Sequence, residues 1–343
     1  MKRLFAAIFV FHFGVLIASA STLSLMTYNV ENLFDTLDDE GKSDETYLPF
    51  KDKQNLAHVK KCMKVKNVSW AYDCYYLNWD AAQYGLKLKR LAEVIDGSEA
   101  KKNLDVLVLQ EVENLRVLED LNRILKKPFP YIIHQESSDK RGIDVAMLSR
   151  LKPDDETKLY KIPFKSAKKN LREDSREILY VRLNGDGFKV SVFGVHLPAP
   201  FHSWRYRADA LEFINSLSKK LVPKSQLALV AGDFNIPSDE LSKRSYNQKY
   251  WKNKWLVSHL EGCKQCKGSY YWNSGKSWSF LDVILVKAPE GERWSYNSES
   301  VELVTEISEQ LKGDKPWGWS ASGFKEGGVS DHLPLRLTVD AIK

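Results

Sequence analysis

Several features that would point to other protein classes are missing from this sequence of 343 residues. Beyond residue 20, no apolar run approaches the roughly 20 residues that cross a bilayer. There is no Gly-x-Ser-x-Gly motif of a serine hydrolase, and Gly275-Lys276-Ser277 lacks the upstream glycine of a P-loop because residue 270 is Tyr. Repeats, low-complexity runs and Pro/Ser-rich linkers are also missing. Residues 21–343 are therefore predicted to form one domain.

The first 20 residues have the pattern of a secretion signal. Lys2 and Arg3 precede an apolar run over residues 4–17, and the small residues Ala18-Ser19-Ala20 suit cleavage. The alternative is a transmembrane anchor, which would need a longer apolar run. The sequence predicts a signal peptide of residues 1–20 that is cleaved near Ala20/Ser21, and a mature protein that is secreted or periplasmic.

Cysteine is scarce, with only Cys62, Cys74, Cys263 and Cys266. An even count in an exported protein predicts disulfides, and four cysteines allow three pairings. We expect local pairing, of Cys62 with Cys74 and of Cys263 with Cys266. Alternatively, Cys263 and Cys266 could form half a zinc site, which needs two more ligands at compatible spacing. A redox pair would need a thioredoxin-like βαβ unit.

Positive and negative charges nearly balance. The formal net charge is +6, and Lys2 and Arg3 of the predicted signal peptide contribute two of these charges, so the mature chain carries about +4. This mild basicity is compatible with a polyanionic partner and falls well short of a histone-like excess. No feature of the sequence requires a protein partner, and we expect a monomer.

Apolar patterning predicts strands and helices that alternate early in the chain, with more strands later. Helical spacing of apolar residues occurs over 84–95, 115–125 and 204–221. The runs that predict strands are 22–30, 105–109, 143–148, 178–183, 188–196, 227–231, 281–286 and 333–339. Residues 35–83 are polar, acid-rich at first and aromatic at the end, and are predicted to be an insertion. The pattern is typical of a layered α/β protein with mixed sheets.

Polar residues with chemical potential stand at the ends of the predicted strands. Strand ends beside loops are where α/β proteins place their sites, whereas unpaired carboxylates are unfavourable in a core. Acids, amides and histidines suit phosphodiester cleavage, which needs a cation, a base for water and donors for the phosphate. These strand-end residues are Asn29, Glu111, His196, Asp233, Asn235, Asp331 and His332.

Each of these motifs also has a purely structural interpretation. Glu111 could ligate a metal, but an acid at the start of a helix is common. Asp233 could activate water and Asn235 could hold that water or the phosphate, although both are ordinary turn residues. Asp282 lies in an otherwise apolar strand and needs a partner if it faces inward. We predict that this partner is His332, whose cationic, phosphate-binding form it would favour.

His196 and two further residues are candidates for the phosphate side of the site. His196 ends a predicted strand, where a lone histidine is more often structural. Asp144, in Arg141-Gly-Ile-Asp144, could orient His196. Arg176 could bind phosphate through its fork of donors.

Seven motifs occur in a fixed order: Thr27-Tyr-Asn29-Val-Glu31-Asn32-Leu-Phe, Leu109-Gln110-Glu111, Arg141-Gly-Ile-Asp144-Val-Ala, Gly194-Val-His196, Gly232-Asp-Phe-Asn235, Leu281-Asp282-Val-Ile-Leu-Val and Ser330-Asp-His332. Together they resemble the endonuclease/exonuclease/phosphatase superfamily, also called deoxyribonuclease I-like, and a secreted bacterial-type member of it. That superfamily includes pancreatic-type deoxyribonuclease, abasic-site exonucleases, bacterial sphingomyelinases and inositol polyphosphate phosphatases. The resemblance implies a four-layer α/β/β/α sandwich, with two packed mixed β-sheets flanked by helices, spanning nearly the whole mature chain.

The resemblance also implies a metal site. Glu111, with Asn29, Glu31 and Asp331 nearby, would hold Mg²⁺ or Mn²⁺, although members of the superfamily differ at the position of Glu31. The insertion carries further acids that could bind a structural cation such as Ca²⁺, but we favour a solvated acidic loop. These acids are Asp35, Asp38, Asp39 and Asp44.

The remaining site residues would act on water and phosphate. The resemblance implies that Asp233 and Asn235 activate and place water, and that His196 and His332 contact the phosphate. Asp282 would orient His332. Members differ on whether a histidine or the residue equivalent to Asp233 is the base, and Asp144 and its equivalents have no agreed catalytic role.

The motifs indicate phosphoester chemistry without naming the alcohol. We expect a secreted nuclease that hydrolyses DNA or RNA, because basic and aromatic residues near the motifs suit backbone contact and base stacking. These residues are Trp204, Arg207, Trp317 and Trp319. One alternative is a sphingomyelinase or phospholipase C whose exposed aromatic residues enter a lipid surface. Another is a non-catalytic binder of nucleic acid or phospholipid, which would be expected to have lost its acids.

Overall fold

The computed structural model describes residues 21–154, 157–166, 176–288, 293–319 and 327–342, so the predicted signal peptide lies outside the described residues. The α-helices of these ranges are α1 (Leu56–Cys62), α2 (Val68–Tyr76), α3 (Ala81–Lys101), α4 (Leu115–Ile124), α5 (Trp204–Leu221), α6 (Ser238–Lys243) and α7 (Ser258–Glu261). Single 3₁₀ or π turns cover Glu45–Tyr47, Phe50–Lys53, Asn247–Trp251, Ser298–Ser300 and Ser308–Gln310. None of the helices in these ranges combines the length and apolar composition of a membrane span.

The strands, in chain order, are β1 (Ser21–Leu33), β2 (Val106–Val112), β3 (Tyr131–Ile133), β4 (Asp144–Ser149), β5 (Lys152–Pro153), β6 (Lys158–Tyr160), β7 (Ile178–Gly185), β8 (Phe188–His196), β9 (Leu227–Asp233), β10 (Leu256–Val257), β11 (Tyr270–Trp272), β12 (Ser277–Ser279), β13 (Asp282–Lys287), β14 (Arg293–Tyr296), β15 (Glu302–Leu303), β16 (Leu311–Lys312), β17 (Lys315–Pro316) and β18 (Leu335–Ile342). The first sheet has the order β14-β18-β1-β2-β4-β3, and β15 also pairs with β18. The second sheet has the order β10-β13-β9-β8-β7-β5, and β6 also pairs with β7. β11 with β12, and β16 with β17, form two small ribbons.

Both sheets are mixed. β1 runs parallel to β2 in the first sheet, and β8 runs parallel to β9 in the second. Parallel neighbours need a crossover, and helical segments supply it: α3 precedes β2, and α5 lies between β8 and β9. Antiparallel pairs such as β1 with β18 and β9 with β13 complete the sheets. The crossovers place helices on the outer faces, so the inner faces of the two sheets are free to pack together.

Three apolar clusters hold the layers together. Inward-facing residues such as Val108 and Leu229 form the cluster between the two sheets. Leu91 of α3 and Leu118 of α4 pack with the outer side of the first sheet, and Leu211 of α5 packs with the outer side of the second. Each such fully buried side chain contributes about 1.5–3 kcal/mol relative to an exposed one. The predicted four-layer α/β/β/α sandwich is confirmed.

The insertion contains two helices that the apolar pattern does not predict, α1 and α2. The Cys62–Cys74 disulfide joins them, with the two Cα atoms 5.6 Å apart. The second disulfide links Cys263 to Cys266, so both predicted local pairings are confirmed. These bonds shorten the loops available to the unfolded chain and thereby stabilise the folded state.

His259 of α7 predicts acid sensitivity. Its ring stacks on Phe280, with ring centroids 4.8 Å apart, and neither ring nitrogen has a hydrogen-bond partner among the described residues. Burial lowers the pKa of His259 from 6.5 to about 4. Because the unfolded chain then binds a proton more readily than the folded protein, this histidine destabilises the fold as the pH falls from 6.5 towards 4.

The variant His259→Phe should therefore keep more of its stability in acid. The free energy of unfolding of the variant, relative to that of the wild type, should increase by about 1.4 kcal/mol for each unit by which the pH is lowered from 6.5 to 4. Urea unfolding of both proteins at pH 7 and pH 4.5 measures this difference. An equal loss of stability in the two proteins on acidification would contradict the assignment.

Candidate active site

The register of the strands gathers the candidate residues where both sheets end. His196 closes β8 and pairs in register with Asp233, at the end of the parallel strand β9. Asp282 opens the antiparallel strand β13 and lies beside Asp233 on its other side. In the first sheet, Asn29 of β1 lies beside the end of β2, which carries Glu111. Neighbouring strand ends therefore deliver these side chains to one place.

The backbone at this place is strained. Glu31, Asn32, Glu111 and Asn235 have positive φ angles of 52°, 60°, 64° and 52°. At Glu111 the pairing of β2 with β4 shifts register, which is the geometry of a bulge. Non-glycine residues in this conformation cost about 1–3 kcal/mol each and are retained where surrounding structure enforces them, often at sites. The strain turns individual side chains out of the strand alternation and into the site.

Gly232, which precedes Asp233, is required by close packing. Its φ is +152°, and a Cβ there would lie 1.9 Å from the carbonyl oxygen of Val195. Only glycine allows β8 and β9 to approach this closely at their ends. The Gly-Asp-Phe-Asn motif thus begins with a residue that brings His196 and Asp233 together.

Asn29 links the two sheets. Its Nδ2 donates to Oδ2 of Asp233 at 3.1 Å and lies 3.5 Å from Oε1 of Glu111. Its Oδ1 accepts from the backbone N–H of Glu31, and its carbonyl oxygen accepts from the hydroxyl of Ser330 at 2.7 Å. The side-chain amide of Asn29 therefore holds Asp233 of the second sheet close to Glu111 of the first sheet.

Asp233 is buried and held by several donors. Oδ1 accepts from the backbone N–H of Asn235 at 2.8 Å, and Oδ2 accepts from Asn235 Nδ2 at 3.1 Å. Burial raises the pKa of Asp233 from 3.8 to about 7, with Asp282 adding to the rise and His332 opposing it. A carboxylate with a pKa near neutrality can take a proton during a reaction, as a general base must.

His332 and Asp282 form the predicted pair. Nδ1 of His332 lies 2.7 Å from Oδ2 of Asp282, and Nε2 lies 4.0 Å from Oδ2 of Asp233 and 3.9 Å from Oδ1 of Asp331. Burial alone would lower the pKa of His332, but Asp282, Asp331 and Asp233 outweigh it and raise the pKa well above 6.5. The imidazole is therefore cationic at neutral pH and presents Nε2–H to the site.

His196 contrasts with His332. Its Nε2 lies 3.5 Å from Oδ2 of Asp233 and 3.7 Å from Oε1 of Glu111. Burial lowers its pKa well below 6.5, and Arg176 adds to this effect. His196 is therefore neutral, and one site holds a neutral and a cationic histidine on either side of the same carboxylate.

The prediction that Asp144 orients His196 is wrong. Oδ2 of Asp144 lies 2.8 Å from Nε2 of His134, and Oδ1 accepts from the backbone N–H of Ser137. The reason is topological, because β4 pairs with β3, and His134 directly follows β3. Both carboxylate oxygens of Asp144 are thus engaged by His134 and Ser137, beside the edge strand β3 of the first sheet.

Arg176 supports the loop that carries His196. Its guanidinium donates to the carbonyl oxygens of His196 and Leu197, at 3.2 and 3.4 Å, and to Asp139 at 3.3 Å. These contacts occupy the fork of donors that the sequence predicts to bind phosphate. Arg176 instead fixes the position of the neutral histidine.

Acidic side chains line the opposite side of the site. Oε2 of Glu111 accepts from the backbone N–H of Asn32 at 3.1 Å. Oε2 of Glu31 accepts from the N–H groups of Trp319 and Asp331, at 2.6 and 3.0 Å. Burial is the main cause that raises the pKa of Glu31 from 4.5 to about 8, and repulsion from Asp331 is the second cause. Burial also raises the pKa of Asp331, against the attraction of His332.

These acids fit a hard divalent cation, because the donors are carboxylate and amide oxygens. Three groups of acids, histidines or cysteines in the described ranges each have one ligand atom per residue within 4.8 Å of the others. Glu31, Glu111 and Asp331 do not form such a group. An ion here would have few protein ligands and would retain water, as Mg²⁺ does. Oε2 of Glu31 is already held by two amides, so Glu111 and Asp331 are the better candidates for direct ligands.

Arg207 is not available to a substrate. It is fully buried, and its guanidinium pairs with Glu240 and donates to the carbonyl oxygens of Pro198 and Ala199. Arg207 continues the apolar face of α5 that includes Leu211, at a spacing of four residues. The prediction that Arg207 contacts substrate is therefore wrong, because its spacing from Leu211 places it on the buried face of α5.

The three predicted tryptophans are partly buried. Trp204 packs on the core beside the second sheet, with the guanidinium of Arg244 over its ring at 4.4 Å. Trp319 packs edge-on against Trp79, and its backbone holds Glu31. Trp317 lies under Nζ of Lys312 at 5.3 Å and joins the segment before Asp331 through its carbonyl oxygen. Trp204 and Trp319 thus have structural contacts, Trp317 lies at the margin of the site, and a contact of these three residues with substrate stays a prediction.

Sequence reasoning missed two cations. Lys87 of α3 is fully buried and donates to the carbonyl oxygen of Val329 at 2.6 Å. Burial lowers the pKa of Lys87 to about 8, and the attraction of Glu31 opposes this effect. The signal was a lysine in the same helical stripe as Leu91. Arg141 is exposed, donates to Oδ1 of Asn32 at 3.0 Å and is close enough to lower the pKa of His196.

Comparisons with known proteins agree with this fold. A model of the "Endonuclease/Exonuclease/phosphatase family" matches residues 75–341. A search of curated proteins gave no significant match. Among solved structures, D. rerio TDP2 complexed with single strand DNA product has a TM-score of 0.55 and 16% identity, over 93% of this chain and 99% of that one.

Two bacterial structures are similar to the same degree. An endonuclease/exonuclease/phosphatase family protein from Bacteroides thetaiotaomicron has a TM-score of 0.54 and 14% identity, over 94% of this chain and 99% of that one. A mutant of beta toxin from Staphylococcus aureus, with bound magnesium ions, has a TM-score of 0.53 and 18% identity, over 94% of this chain and 100% of that one. At these identities the likeness is one of fold.

Proposed function

Because this chain belongs to the endonuclease/exonuclease/phosphatase family, we propose that it is a metal-dependent phosphodiesterase that hydrolyses nucleic acid, with DNA as the first candidate. One observation carries the proposal. A buried carboxylate, Asp233, has a pKa of about 7 and lies between neutral His196 and cationic His332, opposite the acids that fit a cation. That combination offers a base, phosphate donors and a metal side within one site.

Asp233 receives the proton in the proposed reaction. The oxygen of a water molecule attacks phosphorus, and one proton of that water passes to Asp233. The P–O bond to the leaving oxygen breaks, and its electron pair stays on that oxygen, which leaves as an alkoxide and takes a proton from bulk water. Asn235 holds the carboxylate through two hydrogen bonds and so fixes its direction. A pKa near 7 keeps a substantial fraction of Asp233 ionised and basic at neutral pH.

The two histidines hold the phosphate. His332 would donate from Nε2 to a phosphate oxygen, and Asp282 keeps it cationic and correctly turned. His196, being neutral, can present Nε2–H without adding a second full charge. When bound by Glu111 and Asp331, with Asn29 and Glu31 beside them, Mg²⁺ or Mn²⁺ would stabilise negative charge on the phosphate and the leaving oxygen.

Basic and aromatic residues at the margin favour a nucleic acid. Nζ of Lys315 lies 4.2 Å from the centre of the Tyr271 ring, and Lys312 covers Trp317. The segment after β17 is hydrogen-bonded to the one that leads into Asp331. Alternating cations and rings suit a phosphate backbone with stacked bases. Two similar structures, D. rerio TDP2 complexed with single strand DNA product and the beta toxin mutant with bound magnesium ions, also support this substrate and metal.

A second candidate is a phospholipase C of sphingomyelinase type. The observation that favours it is the apolar surface of the insertion. Leu56 at the start of α1 and Met63 directly after α1 are 78% and 72% exposed, and Val68 and Trp70 of α2 are 86% and 62% exposed. Exposed apolar groups on adjacent helices are typical of interfaces, including lipid surfaces. This surface lies on the insertion, whereas the basic and aromatic margin adjoins the site.

One set of assays separates these functions. Residues 21–343 and the variant Glu111→Gln should be tested on plasmid DNA, single-stranded DNA, RNA and sphingomyelin vesicles, each with Mg²⁺ and with EDTA. We expect cleavage of nucleic acid in Mg²⁺, no cleavage in EDTA, and a loss of about 10³-fold in Glu111→Gln if the ion stabilises several kcal/mol of charge. Cleavage of lipid alone would establish the second candidate, and binding without cleavage would establish a non-catalytic protein.

We also propose that the protein is exported, on the strength of the charged and apolar pattern of residues 1–20. The two disulfides are consistent with an oxidising compartment. N-terminal sequencing of the protein recovered outside the cytoplasm should start near Ser21. Recovery of the uncleaved chain in the cytoplasm with reduced cysteines would contradict the proposal.

A further inference from the structure

A second group of acids lies outside the active site, where the insertion meets the end of β2. Asp39 and Asp44 come from the insertion, and Glu113 follows β2. Asp44 and Glu113 are each 1% exposed, and one oxygen from each of the three residues lies within 4.8 Å of the other two. The group thus joins segments that are about 70 residues apart in the chain.

Each carboxylate of this group is held on one side. Oδ2 of Asp44 accepts from the backbone N–H of Asp39 at 2.9 Å, and Oε2 of Glu113 accepts from that of Asp35 at 2.7 Å. Oδ2 of Asp39 accepts from Nδ2 of Asn114 at 3.1 Å. The remaining oxygens, Oδ1 of Asp44 and Oε1 of Glu113, are buried and have no hydrogen-bond partner in the described ranges.

The nearby basic residues serve other acids. Arg116 pairs with Asp35 at 3.0 Å, and Lys61 pairs with Glu45 at 2.8 Å and with Asp38 at 3.4 Å. Within the described ranges, no basic side chain forms an ion pair with any of the three grouped acids. Buried carboxylates without a counter-charge are costly, and buried oxygens that lack donors add to that cost.

We propose that Asp39, Asp44 and Glu113 bind a structural divalent cation of the Ca²⁺ type. Three oxygens within 4.8 Å of one another share a point at most about 2.8 Å from each, close to the Ca²⁺–oxygen distance of about 2.3–2.6 Å. Waters and backbone oxygens would complete the six to eight ligands that Ca²⁺ takes. Mg²⁺ fits less well, because it demands about 2.0–2.1 Å and octahedral geometry. The expectation of a solvated acidic loop is wrong for Asp35 and Asp44, which are 3% and 1% exposed.

The ion would fasten the insertion to the rest of the protein beside the active site. The backbone N–H of Tyr47 donates to the carbonyl oxygen of Asp44, and the Tyr47 ring stacks on Phe34 with centroids 4.0 Å apart. Tyr47 also meets Trp79, which packs against Trp319. The role of the ion is therefore structural and separate from the proposed catalytic ion, so this site can exist whether or not the proposed function is correct.

Thermal unfolding in the Glu111→Gln background tests the site without the catalytic metal ligand. Addition of CaCl₂ at about 100 times Kd should raise Tm by about 4 °C for a chain of this length. Adding Asp44→Asn or Glu113→Gln should abolish this rise. In EDTA, the same two variants should be at least as stable as their background, because each replaces a buried carboxyl group that has no basic partner in the described ranges with a neutral amide. Ca²⁺ should thus reverse the order of stability.

The matched control is Asp52→Asn, an exposed acid of the insertion, which should keep the full response to Ca²⁺. Tb³⁺ luminescence excited through Tyr47 and Trp79 gives a second readout, with one bound ion in the Glu111→Gln background and none after Glu113→Gln. If Glu113→Gln fails to fold, Asp39→Asn tests the same oxygen set from a half-buried position. No Tm rise and no Tb³⁺ signal in the background, or an equal response in all variants, would overturn the proposal in favour of acids that share protons.

Discussion

Replacing Asp233 with Asn should lower kcat/KM on DNA by about 10³-fold or more, because loss of a positioned general base typically costs 10²–10⁴-fold. Asn has the same shape, and its oxygen can still accept from Nδ2 of Asn29 and of Asn235, with loss of only the hydrogen bond from the backbone N–H of Asn235, which would face the new NH₂ group. The fold should therefore survive. Since burial raises the pKa of Asp233 to about 7, the ionised form is disfavoured in the folded protein, and the neutral Asn should be tolerated or stabilising at pH 8.

Steady-state kinetics with a fluorescent oligonucleotide and parallel thermal unfolding measure these two effects separately. The control is Asp340→Asn, an acid that accepts from Thr22 towards the far end of β1 and β18. It should leave kcat/KM within about twofold of the wild type, as surface substitutions remote from a site usually do. Wild-type activity in Asp233→Asn would exclude this residue as the base and leave His196 as the alternative.

The second large effect is expected at the pair of Asp282 and His332, and it should depend on pH. Carboxylates raise the pKa of His332 well above 6.5 against the effect of burial, so the wild type keeps the imidazolium through neutral pH. Without the Asp282 charge, burial dominates and the pKa falls. Asp282→Asn should therefore lose about 10-fold at pH 5 and about 10³-fold at pH 8, as the cationic form disappears with rising pH.

Profiles of kcat/KM from pH 5 to 9 distinguish this role from simple structural damage. His332→Ala should lose about 10³-fold at every pH, since it removes the group instead of retuning it. His259→Phe changes a histidine outside the site and should follow the wild-type profile. A loss in Asp282→Asn that does not vary with pH would show that Asp282 acts only through packing.

Much of the fold follows from local sequence patterns. The predicted bounds 188–196 and 204–221 match β8 and α5, because β8 is buried on both faces and α5 has one apolar face that the core covers. α1 and α2 escaped prediction because their larger apolar residues, such as Leu56 and Val68, face outwards. Periodicity reports burial, so helices that bury little leave no periodic signal.

The site was predictable where chemistry demanded a partner. An acid within an apolar strand, Asp282, needed a countercharge, and His332 provides it. The partner of Asp144 could not be inferred in this way, since that choice depends on the pairing of β4 with β3. Lys87 was missed and Arg207 was wrongly predicted to contact substrate, because a buried cation on a helix resembles an exposed one until its position relative to the apolar face of the helix is considered.

The position of β18 has a consequence for the timing of synthesis. β18 lies inside the first sheet, between β14 and β1, so residues 21–27 have no partner on that side until residues 335–341 emerge. His332 precedes β18 by only a few residues. A nascent chain on the ribosome therefore lacks both a closed first sheet and His332 of the candidate site until β18 has been synthesised. The proposed activity would be withheld up to that point.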